Sequence, residues 1–222
     1  MKIKIVYFAY LIPNKWETIV EEQLSQLKES SLYNEADEIF MSVIADDIEL
    51  NNLILFLKNK YPKITIINVF KDNVYEFPGI KTLYEIAQND DDTDTVLLCF
   101  HSKGMMSNQH ATRNCLFKYT IENYKQYIDE FDNNKLLEVA GAIPHIAGFI
   151  YFNFFWCRSS YVKNYCSEPI VSENRYIWEI WIGSQYSRKY KVITYSPIIK
   201  YEQVTNYHEV WEIHDKMIQN HF

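Results

Sequence analysis

The sequence is short of the residues that loosen a chain. Only 5 of its 222 residues are glycine and 6 are proline, too few for a collagenous, linker-rich or low-complexity protein. Cysteine is scarce as well. Cys99, Cys115, Cys157 and Cys166 share no metal-ligand spacing and lie in apolar or helical contexts, which argues against a disulfide framework and for reduced thiols in a cytosol-like compartment. No stretch approaches about 20 uninterrupted apolar residues, so no membrane span is expected. The opening MKIKIVYFAYLIPNKW is broken by Pro13 and has no small-residue cleavage site, and it reads as a first strand rather than a signal peptide.

Blocks of positive charge are also missing. Lys and Arg total 22 against 29 Asp and Glu, a formal charge of −7, and nucleic acid is therefore not an expected partner. The first strand runs into AYLIPN without a Gly-x-Gly-x-x-Gly, which sets aside a nucleotide-dependent oxidoreductase. What the chain has in quantity is rings: 18 Tyr, 13 Phe and 5 Trp, useful wherever a flat, partly wet ligand is gripped. An AT-rich genome inflates the same residue types, so composition does not choose between the two explanations.

Periodicity organises the first half. IKIVYFAY (3–10), EIFMSVIA (38–45), KITIINVF (63–70) and TVLLCF (95–100) are apolar runs of strand length. Helical spacing separates them: Trp16, Ile19, Val20, Leu24 and Leu27 from about Asn14, then 47–61 behind a cap at Asp46 or Asp47, then 77–89 with Pro78 in the first turn. This is the βαβ rhythm of a parallel sheet covered by helices on both faces.

The second half breaks the rhythm. It predicts a long helix over 109–131, strands over 136–143 and 191–198, an aromatic block over 148–162, a segment over 176–184, and a final helix whose Tyr207, Val210, Trp211, His214, Met217 and Ile218 share a face. With no repeat or linker, one domain is expected, divided at about residue 105 into a nucleotide-binding half and an acceptor half.

Ligands of open parallel sheets bind at the carboxyl ends of the strands. That gives first claim to Ala9 and Tyr10, Ala45 to Asp47, Asp72 and Asn73, and His101-Ser102-Lys103-Gly104. The last group has two readings. Lys103 supplies a point charge, Ser102 a donor and Gly104 room for close approach to an anionic ligand, or the four residues form a strand-end turn with Gly104 left-handed. The preceding Asp90, Asp91, Asp92 and Asp94 suit Mg or Mn chemically. They lie at the amino end of the strand, however, and read as an acidic solvated loop.

Three more positions carry open alternatives. His145 is a satisfied structural histidine or a metal or diphosphate contact. Asn153 and Arg158 sit inside an aromatic run, where burial is costly unless they find partners. Glu179, between Trp178 and Trp181, is a general base, a ligand of sugar hydroxyls, or an exposed residue of an amphipathic segment.

Taken in order, YEFPGIKTLYEIA (75–87), VLLCFHSKGMM (96–106) with Arg113 beyond it, FNFFWCRSSYV (152–162) and WEIWIGS (178–184) resemble the motifs of a GT-A-fold glycosyltransferase-like family of large DNA viruses and bacterial polysaccharide loci. The resemblance spans roughly residues 1–185. It implies a three-layer α/β/α fold with a central, mostly parallel mixed sheet, and transfer of a hexose or deoxyhexose from a nucleotide sugar, UDP-linked, to a glycan or glycoprotein acceptor. A cytoplasmic location, the host's for a viral chain, goes with that reading. The resemblance places Glu76, His101, Lys103, Gly104 and Arg113 around the nucleotide sugar, where Ala9 and Tyr10 join them by their strand-end position, and Asn153, Trp156, Arg158 and a catalytic Glu179 on the sugar and acceptor side.

Departures from the family pattern accompany it. Phe152 stands where the family shows Gly, Phe155 where it shows Trp, and Cys157 where it shows Ala. The Asp-x-Asp usual at the strand end is replaced by Phe100-His101-Ser102, and Asp92-Thr93-Asp94 comes a strand too early. The resemblance implies Mn2+ or Mg2+ at the diphosphate, for which His101 and His145 are then the candidate ligands; without a metal, the charge falls to Lys103 and Arg158. The competing reading is a non-catalytic carbohydrate-binding or assembly protein that kept the fold.

Overall fold

A computed structural model describes residues 1–92, 94–107, 109–184, 192–199 and 204–219. The first half follows the sequence pattern closely. Strand β1 (Lys2–Tyr10) is followed by helix α1 (Trp16–Glu29) and a single helical turn α2 (Leu32–Glu35), then β2 (Glu38–Ile44), α3 (Asp47–Lys60), β3 (Ile64–Phe70), α4 (Phe77–Gln88) and β4 (Thr95–His101). Asp46 caps α3 by accepting from the Glu49 amide at 2.8 Å, satisfying one of the helix's orphan donors. Pro78 sits in the first turn of α4, where its missing N–H costs nothing.

The expected long helix after β4 is instead two. Helix α5 (His110–Phe117) and helix α6 (Tyr124–Asn133) are joined by a π-helical turn over Lys118–Glu122. Side chains take the carbonyls of that turn: the Tyr127 hydroxyl donates to Tyr119 at 2.8 Å and the Trp156 indole to Thr120 at 2.9 Å. Tertiary hydrogen bonds thus support a local departure that helical periodicity does not reveal.

Later elements are shorter than expected. They are β5 (Val139–Gly141), β6 (Phe155–Arg158), α7 (Ser159–Tyr165), α8 (Ile177–Ile180), β7 (Thr194–Tyr195) and α9 (Tyr207–Gln219). Lys191, the first residue of the last expected strand, and Thr93 lie outside the described residues.

Seven strands form one sheet in the order β3-β2-β1-β4-β6-β5-β7. Strands β1 to β4 are mutually parallel where they pair, whereas β6 runs antiparallel to both β4 and β5. Strand order reverses at β1, so the carboxyl ends of β1 and β4 open the crevice where such sheets bind ligands. Helices α4 and α7 pack together on one face; α1 and the π-helical turn pack together on the other. The result is a GT-A-like mixed α/β sandwich.

Register and pleat decide what faces where. Leu98 pairs with Trp156 and Val96 with Arg158, so these four point to the face of α6; Leu97, Cys99 and His101 alternate to the face of α4. The four cysteines are free and buried. Among the described residues, no helix is long and apolar enough to cross a membrane.

Candidate functional site

A cleft of about 360 Å³ opens at the carboxyl ends of β1 and β4. Its lining includes Tyr10, Tyr75, Glu76, His101, Lys103 and Arg175. It falls within the size range of small-molecule sites.

Buried side chains fix the backbone that presents His101 and Lys103. The Tyr7 hydroxyl donates to Gln23 at 2.8 Å, and Gln23 in turn donates to the His101 carbonyl at 3.1 Å. Ser102 is stitched to β1 twice, its amide donating to the Phe8 carbonyl at 2.9 Å and its hydroxyl accepting from the Tyr10 amide at 3.1 Å. Arg113 donates to the Lys103 carbonyl at 3.0 Å and to Glu22 at 2.6 Å. Gly104 then turns the chain at φ 86°, where an added Cβ would lie 2.9 Å from Gln109 Cβ and 3.0 Å from the Ser107 carbonyl. The segment is thus the left-handed turn of one reading, and it also lines the cleft.

His101 Nε2 lies 3.1 Å from the Phe152 carbonyl, which makes it the protonated nitrogen and leaves Nδ1 as acceptor. Burial, with the charge of Lys103 added, pushes the imidazole down to about 3, so it is neutral near pH 7. Lys103 is itself held below the ordinary lysine range by desolvation, against the attraction of Glu179 and Glu76. Its ammonium stands 5.2 Å from the centre of the Phe152 ring. Burial raises the Glu76 carboxyl, against the pull of Lys103 and Arg175.

Strain gathers here. Among the described residues, five non-glycine residues have positive φ, and three of them border this site: Tyr75 at 56°, Phe152 at 70° and Asn153 at 52°. Such residues persist only where their surroundings over-determine them, commonly at functional sites. Asn153 is 3% exposed and its Oδ1 has no hydrogen-bond partner among the described residues. It borders a small recess behind the cleft, shared with Glu76, His101 and Gly79.

The structure brings together Tyr10, Glu76, His101, Lys103 and Gly104, with Asn153 beside them. Glu179 is partly exposed and within electrostatic reach of Lys103 and Glu76. The remaining expected site residues are placed elsewhere. Ala9 is fully buried in β1 against Val43 of β2 and contributes no side-chain group to the cleft. Arg113 is 4% exposed and acts on the Lys103 carbonyl from behind.

Trp156 and Arg158 require correction. The resemblance puts both on the sugar and acceptor side, yet β6 is antiparallel to β4 and carries the chain away from the cleft at about 3.4 Å per residue. Trp156 is fully buried and bonded to Thr120. Arg158 reaches the amino end of β4, where its guanidinium donates to the carbonyls of Phe131, Leu137 and Asn134.

Of the two histidines expected to hold a metal, His145 is engaged elsewhere. His145 accepts from the Ala147 amide at 2.9 Å, is bonded to the Thr205 backbone and stacks on Phe149 at 4.3 Å, which is the satisfied structural histidine of the two readings. His101 commits Nε2 to the Phe152 carbonyl and keeps Nδ1 as an acceptor. Among the described residues no three His, Cys, Asp or Glu side chains form a group able to hold a metal ion, so a divalent ion here would rest on one or two side chains together with phosphate oxygens and water.

The aspartate loop lies at the amino end of β4, as expected, but is not simply solvated. Asp90 is 7% exposed and pairs with Lys4 at 3.5 Å, while Asp92 pairs with Lys2 at 3.2 Å and Asp94 with the chain's amino terminus at 3.4 Å. Two features of the site escaped the sequence reading, the place of Arg175 and the backbone of Phe152. Arg175 is a lone basic residue in an irregular segment, and nothing in its spacing ties it to Lys103. The left-handed backbone of Phe152 had one signal, the glycine that the resembled family carries there.

No protein-family model matches this chain, and no curated protein matches it. Solved structures do. Residues 1–349 of TarS from S. aureus superpose with a TM-score of 0.54 at 12% identity, covering 98% of this chain and 64% of that one. The mannosyltransferase PcManGT from Pyrobaculum calidifontis, solved in complex with GDP-Man and Mn2+, gives 0.51 at 7% identity, covering 95% and 60%. This chain thus spans less than two thirds of the length of either. At such identities the likeness establishes the fold.

Proposed function

We propose that the chain is a nucleotide-sugar-dependent glycosyltransferase, its donor a UDP-hexose or UDP-deoxyhexose and its acceptor a glycan or glycoprotein. One observation carries the reading. On a GT-A-like sheet, at the crevice where strand order reverses, Lys103 stands among Glu76, Glu179 and Arg175 over a rigidly anchored backbone. The occurrence of a GDP-Man complex on the same fold supports it.

In the proposed reaction an acceptor hydroxyl oxygen bonds to the donor's anomeric carbon while the bond from that carbon to the diphosphate oxygen breaks. The nucleoside diphosphate leaves with the bonding electron pair, and the hydroxyl proton passes to the Glu179 carboxylate. Negative charge grows on the leaving diphosphate, and a preorganised cation beside it lowers the barrier. Glu76, within electrostatic reach of the same ammonium, favours its charged form between turnovers.

The test is thermal shift in Mn2+-containing buffer with UDP, GDP, CMP and NAD. UDP is expected to raise the melting temperature and the others not; no shift with any nucleotide would remove the proposal. Release of UDP from a UDP-sugar, lost in Glu179→Gln, separates transfer from mere carbohydrate binding.

A further inference from the structure

The fold neighbour that carries GDP-Man also carries Mn2+, whereas the described residues of this chain form no group of three metal-ligating side chains, and the carboxylates near this cleft, Glu76 and Glu179, already face Lys103. They offer something else in its place. Among the described lining residues, Lys103 and Arg175 are cationic and Glu76 alone is acidic. With Glu179 nearby, two cations balance two carboxylates here, in a chain of formal charge −7 and in a partly enclosed crevice where field lines concentrate. The two side chains carry together the +2 that a divalent ion would bring.

Their settings are built rather than incidental. Lys103 is tied through its carbonyl to Arg113, through its neighbour Ser102 to β1, and through its ammonium to the face of Phe152. Its charge is attracted by Glu179 and Glu76 together, so the carboxylates that would otherwise attract a divalent ion already share a cation. Arg175 is exposed, with its guanidinium 5.9 Å from the Tyr75 ring and 5.6 Å from the Tyr176 ring. A guanidinium between rings keeps its charge while its planar fork remains suited to phosphate oxygens.

We infer that this cleft holds the diphosphate of its donor with the side chains of Lys103 and Arg175 in place of a divalent cation. The inference rests on the nucleotide-sugar reading above and specifies how that site works. Lys103 is the fixed point charge at the floor of the cleft, and Arg175 is the fork that closes on the phosphates from its rim.

The test is calorimetric titration of UDP into metal-stripped protein with EDTA, and again with Mn2+. The dissociation constants are expected to agree within fivefold. Lys103→Met and Arg175→Met are each expected to weaken binding at least tenfold with EDTA present, with Lys103→Arg retaining more affinity than Lys103→Met. Binding more than fivefold tighter with Mn2+, or variants that bind as tightly as the parent, would overturn the inference while leaving the nucleotide-sugar reading standing. Absence of UDP binding in both buffers would remove that reading and this inference with it. Melting temperatures of the variants guard against misfolding, and Arg175, exposed and on a loop, has little to lose.

Discussion

The ammonium of Lys103 rests 5.2 Å from the centre of the Phe152 ring, and Phe152 presents that ring from a left-handed backbone at φ 70°. A bulky residue in that region is strained by about 1 to 3 kcal/mol. The ring offsets this by what it touches: it is 5% exposed and lies against Trp211 at 5.9 Å and His214 at 5.4 Å of α9.

Phe152→Ala and Phe152→Gly both remove the ring, at a cost of about 3 to 5 kcal/mol. The glycine variant relieves the strain and the alanine variant does not. The expected order of stability is parent, then glycine, then alanine, with about 1 kcal/mol between the last two. Urea denaturation checks it; an alanine variant at least as stable as the glycine one contradicts the strain.

The Glu22–Arg113 pair gives a second prediction. Arg113 is buried, and removing it as Arg113→Met leaves the Lys103 carbonyl unheld and Glu22 with His110 at 3.4 Å but no guanidinium, at a cost of about 3 kcal/mol. Glu22→Gln in the same chain is expected to recover part of that loss, because the stranded charge goes. Nucleotide affinity should not recover with it, since the Lys103 carbonyl stays unheld. A double-mutant cycle in both stability and UDP affinity reads the two effects apart.

These residues also mark how far the sequence could be read. The parallel half was legible because each of its strands is an apolar run and each connecting helix has a face, local patterns that β1 to α4 keep to within a residue or two. His101 to Gly104 were legible because the carboxyl end of a strand is a position, known once strand and direction are known. Trp156 and Arg158 were misjudged because their places depend on β6 running antiparallel to β4, a long-range pairing that an aromatic run does not encode. Arg175 enters the cleft through the path of an irregular segment, and no periodicity reports that.

A third prediction concerns acid. An unfolded histidine titrates near 6.5, whereas His101 in the fold titrates at about 3. Between these values the unfolded chain binds more protons at this site than the folded one, so stability falls as pH is lowered through the window. His145 and His214, both depressed chiefly by burial, act in the same sense; Glu76, raised by burial, acts in the opposite one. Comparing the parent with His101→Gln isolates the contribution. The parent should lose stability more steeply between pH 7 and pH 4 in urea titrations, and parallel curves would refute the assignment.

The last prediction separates the two arginines of the sequence reading from the one the fold supplies. Arg158 side-chain exposure is 7%, its guanidinium donates to three carbonyls and lies 5.2 Å from the Phe131 ring, and Asp94 is 3.9 Å away. Arg158→Met leaves those carbonyls without their donor, and a loss of about 3 kcal/mol or more is expected. Arg158→Lys should rescue little of it, because a single ammonium cannot reproduce a fork that reaches carbonyls on different segments. Neither variant should change UDP affinity in the folded protein, since the residue lies at the amino end of β4 and the cleft at its carboxyl end. Arg175→Met should show the reverse, an unaltered urea midpoint with weakened nucleotide binding. Measuring both properties on both variants decides whether charge at the cleft comes from Arg175 or from Arg158, and a binding loss in Arg158→Met without a stability loss would return the older assignment.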